Sequence, residues 1–451
     1  MNSLLLPLAI FVPLVAGTFL MLAGRNVPVG VGKAFAAFSF LFPALAGLLL
    51  WYGFDPAATE HGFNYVTTLP VGIQALGIHL TLGLNGLSTP LFAMAGLVGL
   101  AAGIQALSQQ VEQPNRYLGL ILFMLSGLLG LFASMDVAFL YFFHEFAFLP
   151  TFLLMLRWGG HGRYGTAVFM AVYLTLGAMI SLAGIIYLHN TTGAGSFNIL
   201  DLRDAAAGLD AGTQKTIFGF LLFGFGTLVS LFPFHSWAPE GYSVAPSTVS
   251  MLHAGVLKKF GLFGLIQVGA FVLPEGLKAW APTMFWLGLG NIVLLGLVTM
   301  VQRDLKLLVS WSSVAHMGAC FLGIAAYASG ALTGLGGVAV MMFAHGLSVA
   351  LLFVLTQAVY KRTGTFTMAD MGGLAAKTPV LAGLFVAATM ASLGLPGFAN
   401  FWGELTIFAS LAHLVNTHPW VLAAALTGII ISAIYGLRAV AAVFFGPKAR
   451  R

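Results

Sequence analysis

The chain has 451 residues, 59% of them hydrophobic and 7% charged, with a mean hydropathy of +0.97. A soluble globular protein is about 25% charged, so a soluble enzyme is excluded. The 19 Lys and Arg and 13 Asp and Glu are so clustered that Leu307 to Tyr360 contains none, the composition of an all-α polytopic membrane protein. The net charge of +6 fits basic cytoplasmic loops, and no nucleic-acid site accompanies it. One cysteine, Cys320, allows no disulfide framework and no thiolate cluster for zinc or iron and sulfur. The expectation is a chain with no cofactor or metal of its own.

The first run, MNSLLLPLAIFVPLVAGTFLML, lacks a positive n-region and a cleavage site and reads as a membrane helix. Apolar runs follow near 34–52, 86–107, 117–134, 137–156, 166–188, 216–234, 246–273, 280–301, 307–328, 333–360, 380–412 and 419–445. Each can cross a hydrocarbon core of about 30 Å at about 1.5 Å per residue. About thirteen spans are predicted.

The basic residues test that count, because alternate loops should hold them. Arg25, Lys33, Arg116, Arg157, Arg163, Arg303, Lys306, Lys361, Arg362, Lys377, Lys448, Arg450 and Arg451 fall on one side. The opposite loops hold Arg203, Lys215 and Lys278, while Lys258, Lys259 and Arg438 fall within helices. The expected topology is N-out, C-in.

Two spans read as broken helices, one near Pro233 in LFPFHSW and one near Pro396 in GLPGFANFWGE. Proline removes a backbone donor and clashes with the preceding turn. Breaks in comparable places point to a transporter built from two related five-helix bundles. The expected organisation is N-terminal membrane helices over 1–112, a first bundle over 113–273 and a second over 274–451.

An ionisable side chain at the centre of a span costs about 2.5–3.5 kcal/mol and needs a partner, water or a function. Glu145, in YFFHEFAFLP, lies too deep to reach either surface, and the competing reading is a protonated carboxyl held inside the bundle. Lys258 and Lys259 sit mid-span, beyond the reach of snorkelling. Because neighbours on a helix diverge by about 100°, one is expected on a hydrated axis and the other toward a neighbouring helix or the loop side. His316 and His345 are candidate relays, since imidazole both donates and accepts a proton; the alternative is two satisfied core histidines. Glu404, after the Pro396 break, either ends a proton path or is a solvated cap. Asp304 beside Arg303 and Lys306 reads as a surface ion pair, and His235, Trp237 and Glu240 read as interfacial.

The segments HEFAFLP, FPFHSWAPE, HAGVLKKFGLFG, DLKLLVSWSSVAHMG, AHGLSVALLF and GLPGFANFWGEL occur in one order and spacing. From about residue 84 to the C-terminus the sequence resembles the antiporter-like, proton-pumping membrane subunits of respiratory complex I, most closely its M type (NADH dehydrogenase subunit 4). The resemblance implies proton movement along buried charges: Glu145 matches the essential glutamate of the fifth helix and Lys259 the central lysine of the eighth. His316 and His345 match relay residues of the tenth and eleventh helices, and Glu404 the acidic residue of the broken twelfth. It further implies NADH, FMN, iron–sulfur clusters and quinone in partner subunits, and other membrane subunits, antiporter-like ones among them, as neighbours. The expected location is the lipid bilayer of a bacterial inner membrane.

There are departures. Leu228 stands where the resemblance leads to a lysine paired with the fifth-helix glutamate, and Lys258 occupies a typically apolar position, from which it is expected to take over that role. Asn85, in LNGLS, replaces an aspartate, Gln267 replaces an arginine, and the sequence ends at FFGPKARR where a fourteenth helix is common. The leading expectation is a proton-translocating subunit of a complex I type NADH:quinone oxidoreductase, driven by redox chemistry in other subunits. The alternatives are a subunit of a multisubunit cation/proton antiporter or membrane-bound hydrogenase, and a structural subunit that no longer pumps.

Overall fold

The computed structural model describes residues 2–59, 61–414 and 419–447. Lys448, Arg450 and Arg451 lie outside the described residues. Helices α1 (Asn2–Ala23) and α2 (Val29–Tyr52) are followed by an antiparallel hairpin, β1 (Asn64–Ile73) and β2 (Ile78–Leu84). Apart from this hairpin the described residues form helices and loops, as expected of an all-α membrane protein. The hairpin turn closes at Gly77, which adopts φ +67°, a conformation glycine reaches without a Cβ penalty.

Helices α3 (Ser88–Leu107), α4 (Pro114–Ala133), α5 (Val137–Trp158), α6 (Arg163–Thr192), α7 (Ile199–Ala206) and α8 (Ala211–Val229) come next. After them run α9 (Trp237–Val244), α10 (Ser247–Ala270), α11 (Pro274–Met300), α12 (Leu305–Ala328) and α13 (Gly334–Thr363). The last are α14 (Pro379–Ser392), α15 (Ala399–Ala412) and α16 (Pro419–Phe445). Among the described residues eleven helices are long and apolar enough to cross a membrane, fewer than the thirteen spans expected. The difference falls on the two interrupted segments: α8 opens with the polar run TQKT, and α14 and α15 have 14 residues each.

The chain divides into two compact units, Met1–Leu228 with Val256–Gly276, and Val229–Gly255 with Leu277–Arg451. These boundaries differ from those expected at 112 and 273. Residues 1–112 belong to the first unit because α1 packs on α4 and α2 on α3. Small residues bring α1 and α4 together: a Cβ on Gly17 would stand 2.7 Å from Gly119 O.

Backbone pairing sorts the loops within each unit. In the first, Met135 N donates to Thr81 O (2.9 Å) and Val137 N to Phe197 O (2.9 Å), which joins the hairpin, the α4–α5 turn and the segment before α7. At other helix ends Lys33 Nζ donates to Leu107 O (2.9 Å) and Arg157 pairs with Glu112 (2.9 Å). In the second unit Leu305 N donates to Phe366 O (2.8 Å) and Met368 N to Arg303 O (2.9 Å), so the basic loops before α12 and after α13 adjoin. Arg438 reaches Gln302 O at 2.5 Å.

Both breaks exist. Residues 230–236 separate α8 from α9, and 393–398 separate α14 from α15. Fully buried Asn291 holds the first: its Oδ1 accepts from Phe232 N (2.7 Å) and its Nδ2 donates to Ser230 O (3.0 Å) and Val314 O (2.9 Å). A freed backbone group in an apolar interior must find such a partner.

Candidate functional site

In the first unit α5 is started by Asp136, whose Oδ1 accepts from Ala138 N (2.9 Å) and Phe139 N (3.1 Å). Glu145 lies about 12 Å along the helix from there. Its side chain is 37% exposed in the isolated chain, on a face with the exposed Phe142 and Leu149. The expectation of an enclosed carboxyl is corrected: the group is deep along the span yet faces outward. Tyr141, one turn earlier, hydrogen-bonds this carboxylate. His144 Nδ1 lies 3.4 Å from Glu145 Oε1.

Helix α10 is buried along its length. It contains two wide π-helical turns, His253–Leu257 and Leu265–Ala270. Such turns insert a residue and recur at functional positions because they re-aim the side chains beyond them. Lys258 and Lys259 follow the first turn, and both are fully enclosed. Of the two directions expected for the second lysine, a neighbouring helix fits this enclosure and the loop side does not. Leu228 is buried near the end of α8. In the second unit, His253 stacks on Trp237 (5.4 Å) and packs edge-on to Tyr242 (5.2 Å).

The second unit brings three predicted residues together. His316 Nδ1 on α12 stands 3.6 Å from Glu404 Oε1 on α15. His316 Nε2 meets the Tyr435 hydroxyl of α16 at 3.1 Å, and that hydroxyl meets Ser312 Oγ at 3.0 Å. The His345 ring of α13 lies 6.0 Å from the His316 ring. Ser348 Oγ donates to His345 O (3.3 Å) and accepts from Asn400 Nδ2 (3.2 Å). Glu404 is 12% exposed, so the solvated-cap alternative falls. Its other oxygen packs against Gly394, at φ +69° in the break, where a Cβ would collide with it. A cavity of about 30 Å³ adjoins His316, Glu404, Ser432 and Tyr435, room for one or two waters.

Other residues depart from their sequence readings. Lys306 is buried and donates to Ala245 O (2.6 Å) with Phe366 5.7 Å away, while Asp304 caps α12 by accepting from Leu307 N (2.8 Å). Trp237 is fully buried rather than interfacial, and Glu240 is exposed. Asn85 Oδ1 accepts from Leu87 N (3.0 Å) and Ser88 N (2.8 Å), starting α3. Asn85 and Gln267 line one cavity of about 320 Å³ with Arg203, Phe63 and Phe271. Sequence reasoning missed His144, Tyr435 and Asn291. Tyr435 had a signal, a hydroxyl amid the apolar residues of IISAIYGL.

Helices long and apolar enough to cross a membrane, with two lysines, two histidines and a carboxylate buried among them, define an integral membrane protein of the antiporter-like class. The family described as "NADH:quinone oxidoreductase/Mrp antiporter, TM" matches residues 134–432, and the chain belongs to it. The chain is 33% identical over 375 residues to NAD(P)H-quinone oxidoreductase chain 4 of Gloeobacter violaceus, covering 82% of this chain and 70% of the relative. It superposes on a chain of respiratory complex I from Thermus thermophilus with bound NADH at a TM-score of 0.86 and 27% identity, covering 100% of this chain and 90% of that one. A chain of the Mrp complex from Dietzia sp. DQ12-45-1b shares the fold at a TM-score of 0.84 and 20% identity, over 99% of this chain and 80% of that one.

Proposed function

We propose that this subunit translocates protons across a bacterial inner membrane, N-out and C-in, within a complex I type NADH:quinone oxidoreductase. The driving force is redox chemistry in other subunits, which hold NADH, FMN, iron–sulfur clusters and quinone. The observation that carries the reading is the enclosed chain Ser312, Tyr435, His316, Glu404 beside a water-sized cavity. Each contact joins a proton donor to an acceptor, and imidazole can take a proton at one nitrogen while releasing one at the other. In the first unit Lys259, with Lys258 beside it, exchanges a proton as Glu145 is paired or released. In the second, His316 and His345 pass a proton toward Glu404. A neighbouring membrane subunit covers the outward face of Glu145, because a carboxylate at that depth is costly against lipid.

The test is protons moved per electron pair by the purified complex in proteoliposomes. Glu404→Gln keeps the shape and removes the carboxylate's proton exchange, with an expected fall of about tenfold or more. Full stoichiometry in Glu145→Gln refutes the role of Glu145, and wild-type rates in Lys258→Met refute that of Lys258. The family description also names Mrp antiporters, which keeps a cation/proton antiporter as the second reading. Copurification with small antiporter subunits, instead of flavin and iron–sulfur subunits, would select it.

A further inference from the structure

His144 is a protonatable group that the relay above does not use. Its side chain is 3% exposed, its ring stacks on Phe260 with centroids 4.3 Å apart and planes 22° apart, and its Nδ1 is buried without a hydrogen-bond partner. The same nitrogen lies 3.4 Å from Glu145 Oε1, within ion-pair distance but not aligned as a hydrogen bond. A buried polar atom left without a partner is unfavourable. If neither group holds a proton, two acceptors face one another. One proton between them turns the contact favourable whichever of the two carries it.

We propose that His144 is the proton-exchange partner of Glu145. The Nδ1–H bond of the imidazolium breaks with its electron pair left on nitrogen, and an O–H bond forms on the Glu145 carboxylate. The reverse step restores imidazolium and carboxylate. Both states of the pair carry no net charge; the ion-pair form is the more polar, so exposure of the Glu145 face favours it and dry surroundings favour the neutral form. Two features keep the pair in place. The stack on Phe260 fixes the imidazole plane against α10, next to Lys259 in sequence, and Tyr141 holds the carboxylate from the preceding turn. Helix α4 approaches α5 through Gly127 and Gly130, which a Cβ would jam against Ala147 and Phe143, and these glycines bring no competing charge. A counter-charge for Glu145 is thus available from its own helix although residue 228 is a leucine. The proposal rests on the proton-translocation reading and adds one residue to it.

The experiment compares wild type, His144→Phe, His144→Gln and Glu145→Gln in the complex reconstituted into proteoliposomes, using preparations that copurify with the full set of subunits. The readouts are protons moved per electron pair and turnover-induced infrared difference spectra with labelled histidine. His144→Phe retains a ring to stack on Phe260 and loses the nitrogens; His144→Gln retains a polar group that does not carry a proton. Both are expected to lower the proton yield about tenfold or more. In wild type the carboxyl band lost in Glu145→Gln and the ring band lost in His144→Phe should change together and in opposite senses. Wild-type yield in both His144 variants, with Glu145→Gln impaired, overturns the proposal and leaves the Glu145 reading standing. Full yield in Glu145→Gln overturns both. A lowered yield with no histidine ring band in wild type makes His144 a packing residue and overturns the exchange.

Discussion

Asn291→Leu isolates the device that keeps the α8 break intact. Leucine is close to asparagine in size, so the main loss is polar: Phe232 N–H loses its acceptor at 2.7 Å, and Ser230 C=O and Val314 C=O lose a donor at 3.0 Å and 2.9 Å. The Val314 carbonyl lies within helix α12 and keeps a helical partner, so two groups are left exposed to an apolar interior. Each such orphan costs about 1–3 kcal/mol, or about 2–6 kcal/mol in all. Asn291→Asp retains the acceptor for Phe232 N–H but sets a carboxylate oxygen against the Ser230 and Val314 carbonyls, and should destabilise at least as much as Asn291→Leu. Urea unfolding in detergent micelles, followed by intrinsic tryptophan fluorescence, measures the difference. Asn291→Leu within about 0.5 kcal/mol of wild type would refute the argument that this one amide satisfies the broken backbone.

Further outcomes follow from the same geometry. Gly394→Ala places a Cβ against the Glu404 carboxylate at a position with φ +69°; a left-handed alanine costs about 1–2 kcal/mol, and the displaced carboxylate should uncouple proton movement from electron transfer in proteoliposomes. Tyr435→Phe removes the hydroxyl between His316 and Ser312; a net hydrogen bond of about 0.5–1.5 kcal/mol converts to a loss of roughly 2- to 10-fold in pumping rate. Burial pushes the Asp136 carboxyl above its ordinary value, opposed by its backbone hydrogen bonds. With the folded value above the unfolded one, the folded state binds the extra proton, so this group's contribution to stability falls as pH rises from about 4 through the raised value. Asp136→Asn, whose Oδ1 still accepts from Ala138 N and Phe139 N while the bond from His79 N is lost, should abolish that slope in thermal melts recorded across the acid range.

The sequence disclosed what depends on composition and on residue type at helical spacing. Apolar runs place the helices, and proline with glycine marks the breaks, because both act locally. His316, His345 and Glu404 stood out as ionisable groups in apolar runs, and they come together. Facing direction was not legible in the same way. Glu145 stands mid-helix, but its outward aim depends on which face of α5 packs against α4, a pairing made at Gly127 and Gly130. The two π-helical turns of α10 leave no mark in hydropathy, and the first of them stands directly before Lys258 and Lys259. Lys306 looked like a loop charge because it stands in the first turn of α12; only the fold brings Ala245 O over it. Asn291 is an ordinary polar residue by composition, and its three bonds reach 23, 59 and 61 residues along the chain.

The departures from the family pattern follow one electrostatic accounting. Removing one member of a buried ion pair strands its partner at about 3–5 kcal/mol, whereas replacing both with neutral groups is close to neutral. Asn85 and Gln267, which stand where an aspartate and an arginine were expected, line the same cavity, so the two neutral residues adjoin one space. Asparagine retains the task that does not need the charge, since its Oδ1 still starts α3. Leu228 and Lys258 lie within the first compact unit: position 228 of α8 carries no cation, and one stands at position 258 of α10, both buried. Glu145 then keeps His144 at 3.4 Å on its own helix. In the proposed exchange this protonatable neighbour takes the place of a fixed cation at position 228, so Leu228 is consistent with the proposal.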